Sequence, residues 1–434
     1  MSNSNLASGY WPRVVDRELD ELTASLPAVC LEGPRGIGKT TTALQRATEV
    51  FELDDPHTLS VVAADPERIV RAAGTVVVDE WQRMPYTWDL VRRSVDENPQ
   101  PGRFILTGSA SPATPPTHSG AGRIVSVRMR PLSLCERRDA PLFSSPTVSL
   151  AEMLSGKRPT VAGRTRVRLD DYVGEILNGG FPGLRSLNGR ALRAALAGFV
   201  SRIAERDFPD SGRAVRNPGA LRRWMAAYSA ATATAASYEK IRDAATSGQG
   251  DKPSRRSTGP YIDILEQLYV LDPLPGWSPS LNRLGRLTEG PKHHLADPAL
   301  AAFLLEVDAE TLLRGSPESP NALREGTLLG ALFESLAALS LRVYAQHAEA
   351  AVGHLRTWGG KREIDLIVSG RGGKAVAVEV KLAQAIADVD VRHLRWLRGE
   401  IGAELADAAI LTTGREAYRR PDGIAVIPLA LLGP

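Results

Sequence analysis

Gly33, four residues, then Gly38-Lys39-Thr40 is a spacing that can do phosphate chemistry. In such a loop the glycines let backbone N–H groups converge on phosphate oxygens at the start of a helix. The stretch Gly33, Pro34, Arg35, Gly36, Ile37, Gly38, Lys39, Thr40 and Thr41 is then the expected ATP cradle. Lys39 would reach the β and γ phosphates and the Thr40 hydroxyl would hold Mg²⁺. Further on, Thr75-Val76-Val77-Val78 ends in Asp79-Glu80. Asp79 suits the outer shell of Mg²⁺, and Glu80 suits polarising the water that attacks the γ-phosphate. Phe104-Ile105-Leu106 leads into Thr107-Gly108-Ser109. The hydroxyls of Thr107 and Ser109 are placed to sense the γ-phosphate, although Ser and Gly after a strand are also ordinary turn chemistry. ATP and Mg²⁺ are therefore the expected nucleotide and metal.

These groups act together only if the right elements carry them. Residues 28–32, AVCLE, form an apolar run read as a strand, and GPRGIGKTTTALQRATEV follows as a loop that becomes a helix. Apolar runs ending in acids are how buried parallel strands deliver carboxylates to the edge of a sheet. The chain has 434 residues, 43% hydrophobic and 24% charged, a globular composition suited to several domains of about 100–200 residues each. No apolar run approaches the roughly 20 residues that span a bilayer, and MSNSNLASGYWPRVVDRELDEL lacks the pattern of a signal peptide. A cytoplasmic location without a membrane partner is expected. Cys30 and Cys135 fall into no metal-ligand spacing and read as reduced core residues. The net charge of +3 leaves nucleic-acid binding to local patches.

YWPR near the start, GPRGIGKTT, VVVDEWQRMP, FILTGSA and the AGRI…RMRPLSLCE stretch go further as a set. From Tyr10 to Glu136 the chain resembles AAA+-type ATPases that carry a C-terminal domain of unknown function. That resemblance implies a five-stranded parallel sheet flanked by helices, a ring-shaped homo-oligomer, and an arginine from a neighbouring subunit that completes the site. Arg123 in AGRI and Arg206 in AERD are the candidates for that finger, and the resemblance places Arg13 near the adenine.

Residues 110–120 and 137–165, rich in Pro, Ser, Thr and Gly, read as loop. Helical spacing over Asp171–Leu177 and Arg190–Arg206, with NGGFPGL between, reads as a lid over 137–205. From Asn217, PGALRRWMAAYSAATA, SYEKIRDAAT and GPYIDILEQLYVL give three helices, and LGRLTEGPKHHLAD a hairpin, the outline of a winged helix. Between Gly212 and Arg256 nine Lys or Arg face three Asp or Glu, an excess that suits phosphate contacts or, more plainly, a solvated face. Arg222, Arg223, Arg255 and Arg256 are the candidate DNA contacts.

The tail runs as a long helix (TLLGALFESLAALSLRVYA), three strands (GHLRTW, EIDLIVS, AVAVEVK), a helix through VDVRHLRWLRGEIG, and the strands AAILTT and GIAVIPLALL. This order resembles the restriction-endonuclease-like PD-(D/E)XK fold. The resemblance implies metal ligation by Glu334, Asp365 and Glu379, with Lys381 orienting a water. Glu379 and Lys381 share a face because strand side chains alternate. Trp358 and Trp396 read as packing residues. A fold does not fix a function, so cleavage and a retained binding scaffold both stay open.

The expected fold class is α/β and multidomain: an ATPase core (1–136), a helical lid (137–205), a winged helix (206–296) and a nuclease-like domain (297–434). The expected function is ATP hydrolysis coupled to remodelling of, or translocation on, duplex or branched DNA. A nucleotide-switched scaffold with a protein partner and an ATP-gated, metal-dependent nuclease are the alternatives.

Overall fold

A computed structural model describes residues 9–109, 120–143, 145–210, 215, 217–245, 255–278, 290–314, 322–357 and 360–434. Near its N-terminus β1 (Ala28–Glu32), β2 (Glu49–Glu52), β3 (Val76–Asp79), β4 (Phe104–Gly108) and β5 (Ile124–Arg128) form one sheet in the order β2-β3-β4-β1-β5. Every pairing is parallel. Val29, Leu31, Val77 and Ile105 pack on one face and Ala28, Cys30, Val76, Val78, Phe104 and Leu106 on the other. Continuous apolar runs are what burial on both faces demands. Both cysteines are free; burial pushes Cys135 up to about 11 and holds Cys30 well above the usual thiol range.

The helix after the glycine-rich loop is shorter than the sequence suggests. It spans Lys39–Leu44, and Glu49-Val50, read as its end, opens the edge strand β2. Only Phe51 of that strand is buried, so its pattern carries little strand signal.

A second sheet of seven strands organises the C-terminal half: β7 (Gly163–Arg164), β12 (Glu416–Arg419), β13 (Ala425–Pro428), β11 (Leu405–Thr412), β10 (Ala375–Lys381), β9 (Glu363–Ser369) and β8 (Ala351–Arg356), in that order. β6 (Val148–Ser149) pairs with β14 (Leu432–Gly433). The stretch 137–165, read as loop, is thus stitched to the tail by two short strands, and Phe143, Val148, Leu150 and Met153 are buried in the shared core.

The helix Ala322–His347 backs this sheet, with Leu332, Phe333, Leu336, Leu341 and Tyr344 buried. Its portion Leu328–His347 is long and apolar enough to cross a membrane by length and composition, a property the sequence reading missed. Most of it is enclosed by the protein's own core.

In the middle, the helices Pro218–Ala230, Tyr238–Ala244 and Arg255–Gln267 form as expected. They are followed by two extended segments lying antiparallel: Leu274 and Lys292 exchange backbone hydrogen bonds of 2.8 and 2.9 Å, and Ala296 N donates to Val270 O at 2.9 Å. The expected hairpin tip, 279–289, lies outside the described residues, as do Trp358 and the loop 110–119.

Candidate functional site

β1 delivers the chain to Gly33 at the sheet's C-terminal edge. A Cβ there would sit 2.2 Å from Met129 O, so only glycine lets the loop leave the strand at this point. Gly38 has φ +92°, a left-handed value that costs glycine little, and it starts the helix Lys39–Leu44. Pro34 and Ile37 are buried; Gly36 and Thr41 are exposed. Lys39 is only 6% exposed, and its ammonium donates to Gly33 O at 2.9 Å and Pro34 O at 2.8 Å. Burial pushes it down to about 8, against the pull of Glu80 and Asp79. A cation buried against carbonyls alone is suited to receive an anion from outside.

The acids stand beside it. Thr40 Oγ1 donates to Asp79 Oδ1 at 2.7 Å, and Thr107 Oγ1 donates to the same oxygen. Glu80 takes a left-handed φ of 52°. Ser109 Oγ donates to its carboxylate at 3.0 Å, and Gln82 Nε2 donates to it as well. Thr40, Asp79, Thr107, Glu80 and Ser109 therefore form one hydroxyl and carboxylate cluster. Gln82 was not among the expected site residues. Thr107, expected with Ser109 to sense the γ-phosphate, donates to the Asp79 carboxylate.

These residues fit ATP with Mg²⁺. Lys39 supplies a buried ammonium, and Thr40 a hydroxyl already aimed at the Asp79 carboxylate. Phe181 and Pro182 of NGGFPGL approach the loop: Cβ atoms at Gly36 and Gly38 would lie 4.0 Å from Phe181 Cδ1 and 3.9 Å from Pro182 Cγ. Arg35 Nη1 donates to Asp207 Oδ1 at 3.1 Å.

Residues 25–137 match a family described as an AAA domain. Over these residues the chain is similar to P-loop ATPase domains of the AAA type. Residues 169–311 match a domain of unknown function (DUF8612) and 329–432 another (DUF4143). Two uncharacterised proteins, Rv2008c of Mycobacterium tuberculosis and Mb2031c of Mycobacterium bovis, are each 26% identical over 416 residues, spanning 93% of this chain and 80% of theirs. The Walker-type ATPase PABY2304 of Pyrococcus abyssi matches at 14% identity and a TM-score of 0.39, over 67% of this chain and 94% of that one.

Around the ATPase domain, several expected residues have other partners. Arg13 is 7% exposed, and its guanidinium is committed to Glu136 Oε1 (3.0 Å), Ile37 O (2.8 Å) and Arg130 O (2.7 Å). It is tied to the P-loop through Ile37 O, so its guanidinium is already engaged beside the nucleotide cradle. Arg123 pairs with Asp96 at 2.7 Å on the surface, and Arg206 is exposed. Arg222 lies 5.7 Å over the Phe303 ring and Arg223 is half-buried. Arg255 and Arg256 begin their helix with side chains outside the described residues.

A junction that the sequence did not reveal joins the ATPase domain to the rest. Asp272, in the middle segment, accepts from Arg130 Nε at 2.9 Å and pairs with Arg342 of the long helix at 2.7 Å. Burial would raise its carboxyl, but Arg130, Arg342 and Arg128 outweigh that and hold it far below the usual carboxylate range. Tyr269, three residues earlier, donates its hydroxyl to Glu32 Oε2 at 2.9 Å, directly before Gly33. Arg128 stacks 3.9 Å over the Tyr269 ring.

In the tail, Glu334, Asp365, Glu379 and Lys381 do come together at one sheet edge. Where a metal was expected, however, stands an ammonium of the chain itself. Lys292 Nζ lies 2.9 Å from Glu334 Oε1, 3.1 Å from Glu363 Oε1 and 3.1 Å from Asp365 Oδ1. Lys381 pairs with Glu379 Oε2 at 2.9 Å. Among the described residues no cluster of three or more His, Cys, Asp or Glu is arranged to hold a metal.

Proposed function

We propose that this protein binds and hydrolyses ATP at Gly33–Thr40 and passes its nucleotide state to a DNA-binding middle region. The observation that carries the coupling is the Tyr269 hydroxyl on Glu32, 2.9 Å away and one residue before the P-loop. Any shift of the loop on binding phosphate is felt by the 269–272 segment, which Asp272 ties to Arg130 and Arg342.

In this reading the P-loop backbone and Lys39 bind the phosphates, and Thr40 and Asp79 would hold Mg²⁺, which would supply neutralisation of phosphate charge. Glu80, oriented by Ser109 and Gln82, accepts the proton of the attacking water. Phe181 and Pro182 exclude solvent. Hydrolysis of this kind is positioning and charge stabilisation, and a neighbouring subunit supplying Arg123 or Arg206 would complete the site in a homo-oligomeric ring. Duplex or branched DNA is the proposed partner, on the local basic excess of the middle region.

The test is steady-state ATP turnover of wild type and Lys39→Ala, alone and with single-stranded, duplex and four-way-junction DNA, over a range of protein concentrations. Stimulation by one DNA form that vanishes in Lys39→Ala is expected. Turnover that ignores every DNA form would overturn the DNA reading. It would leave a nucleotide-switched binder of a protein partner, a second reading that Arg222 favours by lying over Phe303 of its own chain.

A further inference from the structure

Lys292 is 1% exposed, and a lysine ammonium has three N–H donors and no acceptor. Its three closest acceptors are Glu334 Oε1 at 2.9 Å, Glu363 Oε1 at 3.1 Å and Asp365 Oδ1 at 3.1 Å. Glu334 comes from the long helix Ala322–His347. Glu363 and Asp365 lie two apart on β9, so their side chains share a face. Lys292 comes from elsewhere, the segment 292–296 held by backbone hydrogen bonds against 270–274.

Two of the oxygens that remain around it are engaged as well. Asp365 Oδ2 accepts from Val380 N at 3.0 Å, and Glu379 Oε2 accepts from Lys381 at 2.9 Å. Glu379, 4% exposed, keeps Oε1 without a hydrogen-bond partner. The nearest cationic candidate for it is His393 Nδ1 at 3.8 Å, and that atom is 2.7 Å from Glu363 O. A divalent ion that needs about six oxygen ligands would find one ammonium already seated among Glu334, Glu363 and Asp365 and a second on Glu379.

We propose that Lys292 is a built-in substitute for a divalent cation: its ammonium fills the place between Glu334, Glu363 and Asp365, so the tail domain holds no Mg²⁺ or Mn²⁺. The carboxylates then serve to dock the middle segment 292–296 onto the sheet, and the edge generates no metal-activated water for phosphodiester hydrolysis. This goes beyond the ATPase reading and does not depend on it.

The experiment is a Mn²⁺ titration of the full nucleotide-free chain, reading free Mn²⁺ by electron paramagnetic resonance and thermal unfolding in parallel. Wild type, Asp365→Asn, Lys292→Arg, Lys292→Met and Lys292→Met with Asp365→Asn are compared. Lys292→Met is expected to gain a Mn²⁺ site on the order of a hundredfold tighter than any Asp365-dependent site in wild type, because a like charge has been removed at contact distance. The gained site should disappear in the double variant, Lys292→Arg should not gain it, and Mn²⁺ should raise the unfolding temperature of Lys292→Met alone. A Mn²⁺ site in wild type that is lost in Asp365→Asn would overturn the proposal, as would a folded Lys292→Met that gains none. Should Lys292→Met fail to fold, the wild-type and Asp365→Asn pair still decides: an Asp365-dependent site refutes the proposal, and identical titrations support it.

Discussion

Lys39 and Lys292 are both buried ammonium groups beside carboxylates at sheet edges, yet their surroundings dispose of the charge in opposite ways. Lys39 donates to two backbone carbonyls, and burial pushes it down to about 8. Lys292 suffers the same burial, but Asp365, Glu334 and Glu363 outweigh it and hold the ammonium well above the usual lysine range. The first charge is left for an anion that arrives from outside. The second is consumed by the fold. A buried lysine among acids is therefore not a functional signal in itself; what decides is whether its charge has been matched internally.

Removing the matched charge gives the largest expected effect. Lys292→Met should cost about 3–5 kcal/mol in denaturant unfolding, since it leaves buried carboxylates uncompensated, while Lys39→Met should cost far less or stabilise. Equal losses would erase the distinction. At the open site the effect is on rate: Lys39→Ala should lower kcat roughly 10²–10³-fold, the scale of losing one preorganised charge or donor at a reacting oxygen. Asp272, at the junction between the middle segment and the ATPase domain, is a second matched charge, and Asp272→Asn should cost about 3 kcal/mol at neutral pH. Its carboxyl is held below the roughly 3.9 of an unfolded chain, so this stabilisation is present above about pH 4 and fades as the pH falls through the folded value. Unfolding curves of wild type and Asp272→Asn should converge in acid; a gap that widens there would refute the ion-pair account.

The parts of this comparison were unequally legible. β1, β3 and β4 were readable because strands buried on both faces are apolar runs, and the phosphate loop because its spacing is local. β2 was missed because three of its four side chains are not buried. The stretch 137–165 was read as loop from its Pro, Ser and Gly content, yet two-residue strands join it to residues 416–417 and 432–433. Lys292 and Asp272 gave no sequence signal for a physical reason: Glu334 and Asp365 lie 42 and 73 residues from Lys292, and Arg130 lies 142 residues from Asp272. Charge matching over such distances belongs to tertiary structure. Glu334, Asp365 and Glu379 were found by motif position, and the ammonium among them was not.

Smaller effects sharpen the contrast. If Lys39 waits for phosphate with its proton loosely held, ATP affinity should weaken by up to about tenfold per pH unit above about 8, where the free ammonium deprotonates. Calorimetry at pH 9 in buffers of differing ionisation enthalpy should then show proton uptake on binding that is absent at pH 7. Identical proton balance at both values would contradict it. The exposed pair Arg123 with Asp96 marks the bottom of the scale, and Arg123→Ala should change stability by less than about 1 kcal/mol. A loss of turnover far beyond that stability change would mark Arg123 as the residue a neighbouring subunit uses.

The most direct measurement is steady-state ATP hydrolysis by wild type, Lys39→Ala and Lys292→Met at one protein concentration and at a temperature where all three are folded. Turnover lowered at least about a hundredfold in Lys39→Ala and retained in Lys292→Met is the predicted result. Turnover retained in Lys39→Ala would contradict the account, because the charge left open at the P-loop would then have no part in the chemistry.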